Sequence, residues 1–204
     1  MKHIVFDVDG TLIDTELASL YSLRDTMQMT TGKKYSAEEL TFSLGLPAAV
    51  TLIKLGIDNV AEVLALWEDI LGSYSNIVEA FPGIWELLDT LKARGHRIGI
   101  VTSRTKKEFR CDVEPLGIAK PFETIICADD TQRHKPEPDS LLKYAELAGT
   151  DISNVVYIGD SPYDMGCANS AGAKFILAGW GTKQPMPVKE QFRAETPAEV
   201  LEFI

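Results

Sequence analysis

Two aspartates, one residue apart, open the most chemically distinctive stretch of this sequence. Asp7 and Asp9 belong to the run Asp-Val-Asp-Gly-Thr, which follows an apolar run that predicts a buried strand. Ligands in open parallel sheets bind beyond the carboxyl ends of the strands, and a turn at Gly10 could bring the second carboxylate back over such a site. One carboxylate could then act as nucleophile and metal ligand while the other transfers protons. The alternative is an Asx turn that closes the strand, because Asp and Gly are common turn residues.

Three further polar clusters follow later predicted strands. Thr102 and Ser103 come after Ile-Gly-Ile-Val, and their hydroxyl and N–H groups could hold a phosphate. Lys135, in a proline-bounded segment, offers a fixed positive charge. Asp160 and Asp164 follow Val-Val-Tyr-Ile, and carboxylate oxygens suit Mg²⁺. Each cluster alone has a structural alternative, as a helix N-cap, a solvated lysine or turn formers, but four clusters at successive strand ends favour one shared site.

The predicted elements that carry these residues alternate between strand and helix. This alternation is typical of a parallel sheet covered by helices on both faces, so the predicted fold class is α/β with a Rossmann-like three-layer core. The predicted strands are 3–7, 97–102, 123–127, 154–158 and 173–177. The predicted helices of this core are 83–94, 105–116, 138–148 and 162–171.

The interval after the first strand is too long for a simple crossover. Residues 14–80 carry apolar side chains at helical spacing and almost no strand-like alternation. We therefore predict an inserted all-helical cap domain at 14–80, with a core domain formed by 1–13 and 81–204. The glycines and prolines of 179–194 predict a long surface loop before a short terminal helix.

The composition argues against two classes of binding partner, nucleic acids and membranes. Of the 204 residues, 30 are acidic and 20 basic, and a formal charge of -10 argues against a nucleic-acid-binding protein. No run reaches the roughly 20 apolar residues of a membrane helix, so no membrane partner is expected. The three cysteines lack the close spacing of a zinc site, which favours reduced thiols and a cytoplasmic location.

The four clusters, in this order, resemble the signature motifs of the haloacid dehalogenase superfamily of phosphotransferases. The helical insertion resembles the small cap of the phosphoglycolate phosphatase and β-phosphoglucomutase branch. This resemblance implies a Mg²⁺-dependent phosphatase that hydrolyses a small phosphorylated metabolite through an aspartyl-phosphate intermediate on Asp7. In this mechanism Asp9 would be the general acid and base.

The same resemblance implies which residues bind the metal and the phosphoryl group. The metal would be held by Asp7, the backbone carbonyl of Asp9 and Asp160, with Asp164 as a further acidic partner. The phosphoryl group would be bound by Thr102, the N–H of Ser103 and Lys135.

Two segments are possible substrate contacts. Arg104, Lys106 or Lys107 could meet a second anionic group of the substrate, although an exposed first helical turn is the simpler explanation of these residues. Gly45 and Leu46 resemble a substrate-facing cap loop, or else form a plain helix-breaking loop.

Three rival functions are weaker. A phosphosugar mutase of the β-phosphoglucomutase type would carry a cap arginine after a glycine and a histidine early in the cap, whereas residues 45–49 contain no arginine and Ser19 stands near the histidine's place. A dehalogenase would not need Asp9, and a phosphonatase would need a catalytic cap lysine, which is a less common role than a solvated lysine. A phosphatase is therefore the predicted function, with the mutase as the alternative.

Overall fold

The computed structural model of the chain describes residues 2–44, 46–182, 186 and 192–204. The chain folds into two compact units, one formed by Met1–Asp14 with Ala80–Ile204 and the other by Thr15–Glu79. These boundaries differ by one residue from those predicted. The short strands Ile13–Asp14 and Glu79–Ala80 form a separate two-stranded sheet. The role of the second unit as a cap stays a prediction.

The first unit is built on a six-stranded sheet in which every pairing is parallel. In chain order the strands of the protein are β1 His3–Phe6, β2 Ile13–Asp14, β3 Glu79–Ala80, β4 Arg97–Val101, β5 Thr124–Ile126, β6 Val155–Gly159, β7 Lys174–Ala178 and β8 Arg193–Ala194. The order across the large sheet is β5-β4-β1-β6-β7-β8. The chain therefore proceeds outward from β1 on one side and then on the other, which makes the carboxyl end of β1 a topological switch point.

The second unit is helical, as predicted. It contains α1 Glu16–Thr31, α2 Ala37–Leu40, α3 Ala48–Lys54 and α4 Val60–Gly72. These helices enclose a core of their own, which includes Leu23, Met27 and Trp67. The indole N–H of Trp67 donates to the Ser22 hydroxyl at 2.9 Å, so the buried polar atom of the largest side chain has a partner.

The helices of the first unit cover its sheet. They are α5 Ile84–Ala93, α6 Lys106–Glu108, α7 Asp139–Ala148 and α8 Pro162–Ala171. Helix α7 packs on β4 and β5 and α8 on β6 and β7, while α5 packs on β4 and on the C-terminal 3-10 helix Pro197–Glu202. Gly99 lets α7 lie close to the sheet, since a Cβ there would be 2.0 Å from the Tyr144 ring. The predicted α/β class with a parallel sheet and a helical insertion is confirmed.

Two predicted segments differ in detail. The helix predicted at 105–116 is instead α6, a π-helical turn at Phe109–Val113 and a 3-10 turn at Glu114–Leu116. Pro115 contributes to this irregular end, because it has no N–H with which to continue the helical hydrogen bonds. The loop predicted at 179–194 contains β8, which pairs with β7, and its residues 183–185 and 187–191 lie outside the described part of the chain.

No helix in the described residues has the length and apolarity needed to cross a bilayer.

Candidate active site

Three of the predicted site residues lie at the carboxyl ends of neighbouring strands of the sheet. Asp7 comes one residue after β1, and its N–H donates to the Ile158 carbonyl of β6 at 2.9 Å. Thr102 comes one residue after β4 and Asp160 one residue after β6. Because β1 is flanked by β4 and β6 in parallel register, all three residues emerge at the switch point.

Lys135 connects two of the carboxylates. Its Nζ lies 2.8 Å from Asp7 Oδ1 and 2.7 Å from Asp164 Oδ1. The side chains of Lys135 and Asp7 are only 5% and 12% exposed and that of Asp164 is 0% exposed, so these ion pairs are shielded from solvent. Gly166 allows the Lys135 loop to approach α8, since a Cβ at residue 166 would lie 2.7 Å from the Pro136 side chain.

Asp164 has a partner at each oxygen. Oδ1 faces Lys135 and lies 2.9 Å from the Tyr157 hydroxyl, while Oδ2 accepts hydrogen bonds from the Ser161 N–H at 3.1 Å and from the Ser161 hydroxyl. Ser161 in turn accepts from the Asp164 N–H, which completes a capping box at the start of α8. Asp164 therefore fixes both the turn that follows β6 and the lysine.

Gly10 makes room for Asp160. It has a φ of 72°, and a Cβ at this position would lie 2.4 Å from Asp160 Oδ2. Glycine is thus required twice, for its left-handed backbone and for the close approach of the carboxylate. Asp160 Oδ1 also lies 3.5 Å from the Thr11 hydroxyl, so the turn after β1 borders this side chain.

The donor set of this group fits a divalent cation. Carboxylate oxygens of Asp7, Asp160 and Asp164 lie within 4.8 Å of one another. Burial, reinforced by Asp164 and opposed by Lys135, raises the pKa of Asp7 to about 7. Burial and the charges of Asp164 and Asp7 also raise the pKa of Asp160 well above its ordinary value. Lys135 alone does not balance three clustered carboxylates, and oxygen ligands of this kind suit Mg²⁺.

Asp9 lies in a second ionic cluster. Arg104 donates from Nε to Asp9 Oδ2 and from Nη2 to Asp9 Oδ1, each at 2.8 Å, and from Nη1 to Asp112 Oδ2 at 2.7 Å. Although burial opposes it, the charges of Asp9 and Asp112 raise the pKa of Arg104 above its ordinary value. The alternative anion contact, Lys106, lies 2.5 Å from Asp130, so its ammonium also faces a carboxylate.

The remaining predicted residues have different surroundings. Thr102 is buried, and its hydroxyl accepts the Arg104 N–H at 3.2 Å, whereas Ser103 is exposed in the turn after β4. Gly45 lies outside the described residues, and Leu46 is a half-buried residue of the second unit. The structure therefore brings Asp7, Lys135, Asp160 and Asp164 into direct proximity and aligns Thr102 by strand register.

Three residues that support these clusters were not predicted from the sequence. Ser161 carried a usable signal, because Ser-x-x-Asp before a helix predicts a capping box. Tyr157 carried a weaker one, since a tyrosine in a fully apolar strand needs a partner for its hydroxyl. Asp112 carried none, because its contact with Arg104 depends on the π-helical turn.

Comparison with protein families gives a match to the haloacid dehalogenase-like hydrolases over residues 4–178. The chain belongs to this family. The match spans the strands and helices that carry all four clusters, and it confirms the resemblance inferred from their residues.

Individual relatives cover nearly the whole chain. A protein from Clostridium perfringens named "Putative pyrophosphatase PpaX" is 30% identical over a 212-residue alignment that covers 100% of this chain and 97% of the relative. Its namesake from Caldanaerobacter subterraneus subsp. tengcongensis is 31% identical over 185 residues, or 87% of this chain and 81% of the relative. A crystal structure from Lactobacillus plantarum, described as a "putative phosphoglycolate phosphatase", is 30% identical, with a TM-score of 0.90 and coverage of 100% of this chain and 99% of that one.

Proposed function

We propose that this hydrolase is a Mg²⁺-dependent phosphatase that cleaves a small phosphorylated metabolite through a phosphoryl-aspartate on Asp7. The observation that carries the proposal is the position of Asp7, which lies at the switch point with Lys135 Nζ at 2.8 Å and two further carboxylates alongside. An attacking carboxylate and a phosphate repel each other. Lys135 offsets part of this repulsion, and a cation held by the carboxylates would offset the rest.

The metal would be held by Asp7, Asp160 and the backbone carbonyl of Asp9, with Asp164 as a further acidic neighbour. When bound, Mg²⁺ would supply positive charge opposite the phosphoryl oxygens. Because both oxygens of Asp164 already accept hydrogen bonds, Asp164 would act mainly by holding Lys135 in place.

In the first step an Asp7 carboxylate oxygen attacks phosphorus while the bond from phosphorus to the leaving oxygen breaks. Asp9 donates its proton to that oxygen, so a phosphomonoester releases an alcohol and pyrophosphate releases a protonated phosphate. Lys135, the Thr102 hydroxyl and the Ser103 N–H stabilise the other phosphoryl oxygens. Their location around the ends of β1 and β4 supports these roles.

In the second step water attacks phosphorus and the bond to Asp7 breaks. Asp9 accepts the proton of the attacking water, inorganic phosphate leaves, and both aspartates return to their starting states. Under the same proposal the helical unit, predicted as the cap at 14–80, excludes bulk water during transfer, and Gly45 and Leu46 contribute substrate contacts.

A specific candidate substrate is inorganic pyrophosphate. It is favoured by the names of two relatives, each at least 30% identical to this chain. Pyrophosphate and phosphoglycolate share a second anionic group next to the phosphoryl group, so a doubly anionic substrate class suits both names.

Three free cysteines, of which two are buried, support a cytoplasmic location.

Trapping the intermediate tests the proposal. The protein is mixed with Mg²⁺ and pyrophosphate or p-nitrophenyl phosphate, quenched in acid within milliseconds, and analysed by peptide mass spectrometry. We expect one added phosphoryl group on the peptide that contains Asp7, and none in Asp7→Asn. Turnover by a protein that never acquires a phosphoryl group at residue 7 would refute the covalent mechanism.

A further inference from the structure

Both carboxylate oxygens of Asp9 accept hydrogen bonds from a buried arginine, Arg104. Resting on the proposed function, we infer that Arg104, held by Asp112, is the residue that positions Asp9 for its two proton transfers. Arg104 is thus a positioning residue, and its guanidinium fixes where the Asp9 carboxylate points relative to the leaving oxygen and the attacking water.

The geometry of the pair is restrictive. Nε and Nη2 of Arg104 contact different oxygens of Asp9, each at 2.8 Å, so the planar guanidinium sets the plane of the carboxylate as well as its position. The Arg104 side chain is 12% exposed whereas that of Asp9 is 39% exposed. The arginine therefore forms the anchored half of the pair, and the aspartate keeps an accessible side from which it can reach a substrate.

Arg104 is itself fixed at both ends. Its backbone N–H donates to the Thr102 hydroxyl at 3.2 Å, and its carbonyl accepts the Ala128 N–H at 2.8 Å. At the other end Nη1 donates to Asp112 Oδ2 at 2.7 Å. A side chain held by its own main chain and by a second carboxylate has little rotamer freedom left, which makes it an effective support for Asp9.

The π-helical turn explains how Asp112 reaches this position. Residues Phe109–Val113 follow α6 directly, and Phe109 and Val113 are buried beneath the turn. A π turn has one more residue in its hydrogen-bonded ring than an α turn, which changes the direction of the side chains that follow. Such turns are frequent at functional sites, and here the turn carries the residue that holds Arg104.

A substrate-binding role for Arg104 predicts different kinetics. Three of its five N–H groups face carboxylates, so the structure favours support of Asp9 over capture of a substrate anion. Loss of a substrate contact would raise KM for doubly anionic substrates. Loss of a support for the general acid would lower kcat, most strongly for substrates with a poor leaving group.

The test compares two monoesters that differ in leaving group, β-glycerol phosphate and p-nitrophenyl phosphate. We expect Arg104→Met to lower kcat for β-glycerol phosphate by about 10² or more, within the range for loss of acid–base catalysis, with KM changed less than about threefold. With p-nitrophenyl phosphate, whose leaving group needs no proton, release of p-nitrophenolate should show a burst of about one equivalent per enzyme. The burst is expected because hydrolysis of the phosphoryl-aspartate still requires Asp9. Asp112→Asn should show the same pattern with a smaller loss.

The matched control is Arg97→Met, which removes an exposed Arg–carboxylate pair with Glu123 at the other end of the same strand. It should match the wild type in both assays. Release of p-nitrophenolate without a burst, or a rise in KM alone, would overturn the inference. Should Arg104→Met not fold, Arg104→Lys and Asp112→Asn give the same comparison. If Asp7→Asn remains active, the proposed function itself fails; if Asp7→Asn is inactive and the Arg104 variants behave as wild type, only the inference about Arg104 fails.

Discussion

Lys135 bridges Asp7 and Asp164, at 2.8 Å from one carboxylate and 2.7 Å from the other. The bridge means that removal of the Asp7 charge leaves the ammonium with a buried partner, so the loop that carries Lys135 should keep its place. This separates the chemical role of Asp7 from its structural one.

We therefore predict that Asp7→Asn lowers kcat for p-nitrophenyl phosphate by at least about 10³, because an amide is not a nucleophile here. The melting temperature should stay the same or rise, since one buried carboxylate is removed from a group of three. Phosphate release and differential scanning fluorimetry measure the two effects. Asp89→Asn, an exposed change on α5, should affect neither. Wild-type turnover by Asp7→Asn would contradict the prediction.

In the presence of EDTA, the free energy of unfolding should depend on pH through the cluster formed by Asp7, Asp160 and Asp164. Burial raises the pKa of Asp7 from 3.8 to about 7, so over this interval the folded protein binds more protons than the unfolded chain. Raising the pH from about 5 to about 8 in EDTA should therefore lower the free energy of unfolding contributed by this group. Under the proposed function Mg²⁺ would bind the ionised carboxylates, so it should raise the melting temperature more at the higher pH.

Asp160→Asn provides the comparison for this pH series. It should weaken both the pH-dependent loss in EDTA and the stabilisation by Mg²⁺, while other titrating groups remain common to the two proteins. A Mg²⁺-induced rise in melting temperature of the same size in Asp160→Asn would show that the cation binds elsewhere.

Tyr157→Phe should destabilise the protein by about 1–2 kcal/mol, because Asp164 Oδ1 and the Val101 carbonyl each lose a buried neighbour. Activity should also fall, since Asp164 holds Lys135. Tyr144→Phe is the matched control. It removes another buried hydroxyl, whose hydrogen-bond partner is His3 Nδ1 at 3.2 Å rather than Asp164. Urea unfolding should give similar losses for the two variants, and only Tyr157→Phe should reduce kcat. Reduced kcat in both would imply a general loss of packing.

Gly10→Ala should weaken Mg²⁺ binding and activity together. A Cβ at residue 10 would stand 2.4 Å from Asp160 Oδ2, so the carboxylate has to move. Gly172→Ala isolates the backbone effect, because Gly172 has a φ of 80° but no atom within 4 Å of its would-be Cβ. Both should cost about 1–2 kcal/mol of stability for the left-handed backbone. Titration with Mg²⁺, followed by phosphate release, should separate them, and equal Mg²⁺ dependence would argue against crowding of Asp160.

The mutase alternative makes a distinct prediction. With β-glucose 1-phosphate and a trace of the corresponding bisphosphate, we expect free phosphate as the main product. Formation of glucose 6-phosphate faster than phosphate, followed by coupled dehydrogenase assay, would reverse the preference for a phosphatase.

The features that the sequence predicted best are those that follow from the order of strands and helices along the chain. Asp7 and Asp160 directly follow apolar strands, and parallel strands bring their carboxyl ends to a common edge, so their proximity follows from topology. The helical insertion was equally accessible, because its apolar spacing persists over several turns. These features need no knowledge of any particular tertiary contact.

Features set by tertiary contacts were not predictable in this way. Strand β8 has two residues, too few for a periodic pattern, and it exists because β7 offers a pairing edge. The contact of Arg104 with Asp9 joins two turns that are far apart in the chain, and an arginine just after a strand is equally consistent with an exposed helical turn. The sequence predicted which residues come together at the ends of β1 and β6, but not the contacts that support them.

The turn after β1 is fastened from a remote part of the chain. The Trp180 indole donates to the Thr11 carbonyl at 3.0 Å, and Gly181 passes so close that a Cβ there would fall 1.6 Å from the Gly10 oxygen. Residues 10 and 11 are therefore contacted by two residues that closely follow β7, through the Trp180 side chain and the Gly181 backbone. The geometry of the turn that follows Asp7 thus depends on residues that lie about 170 positions later in the chain.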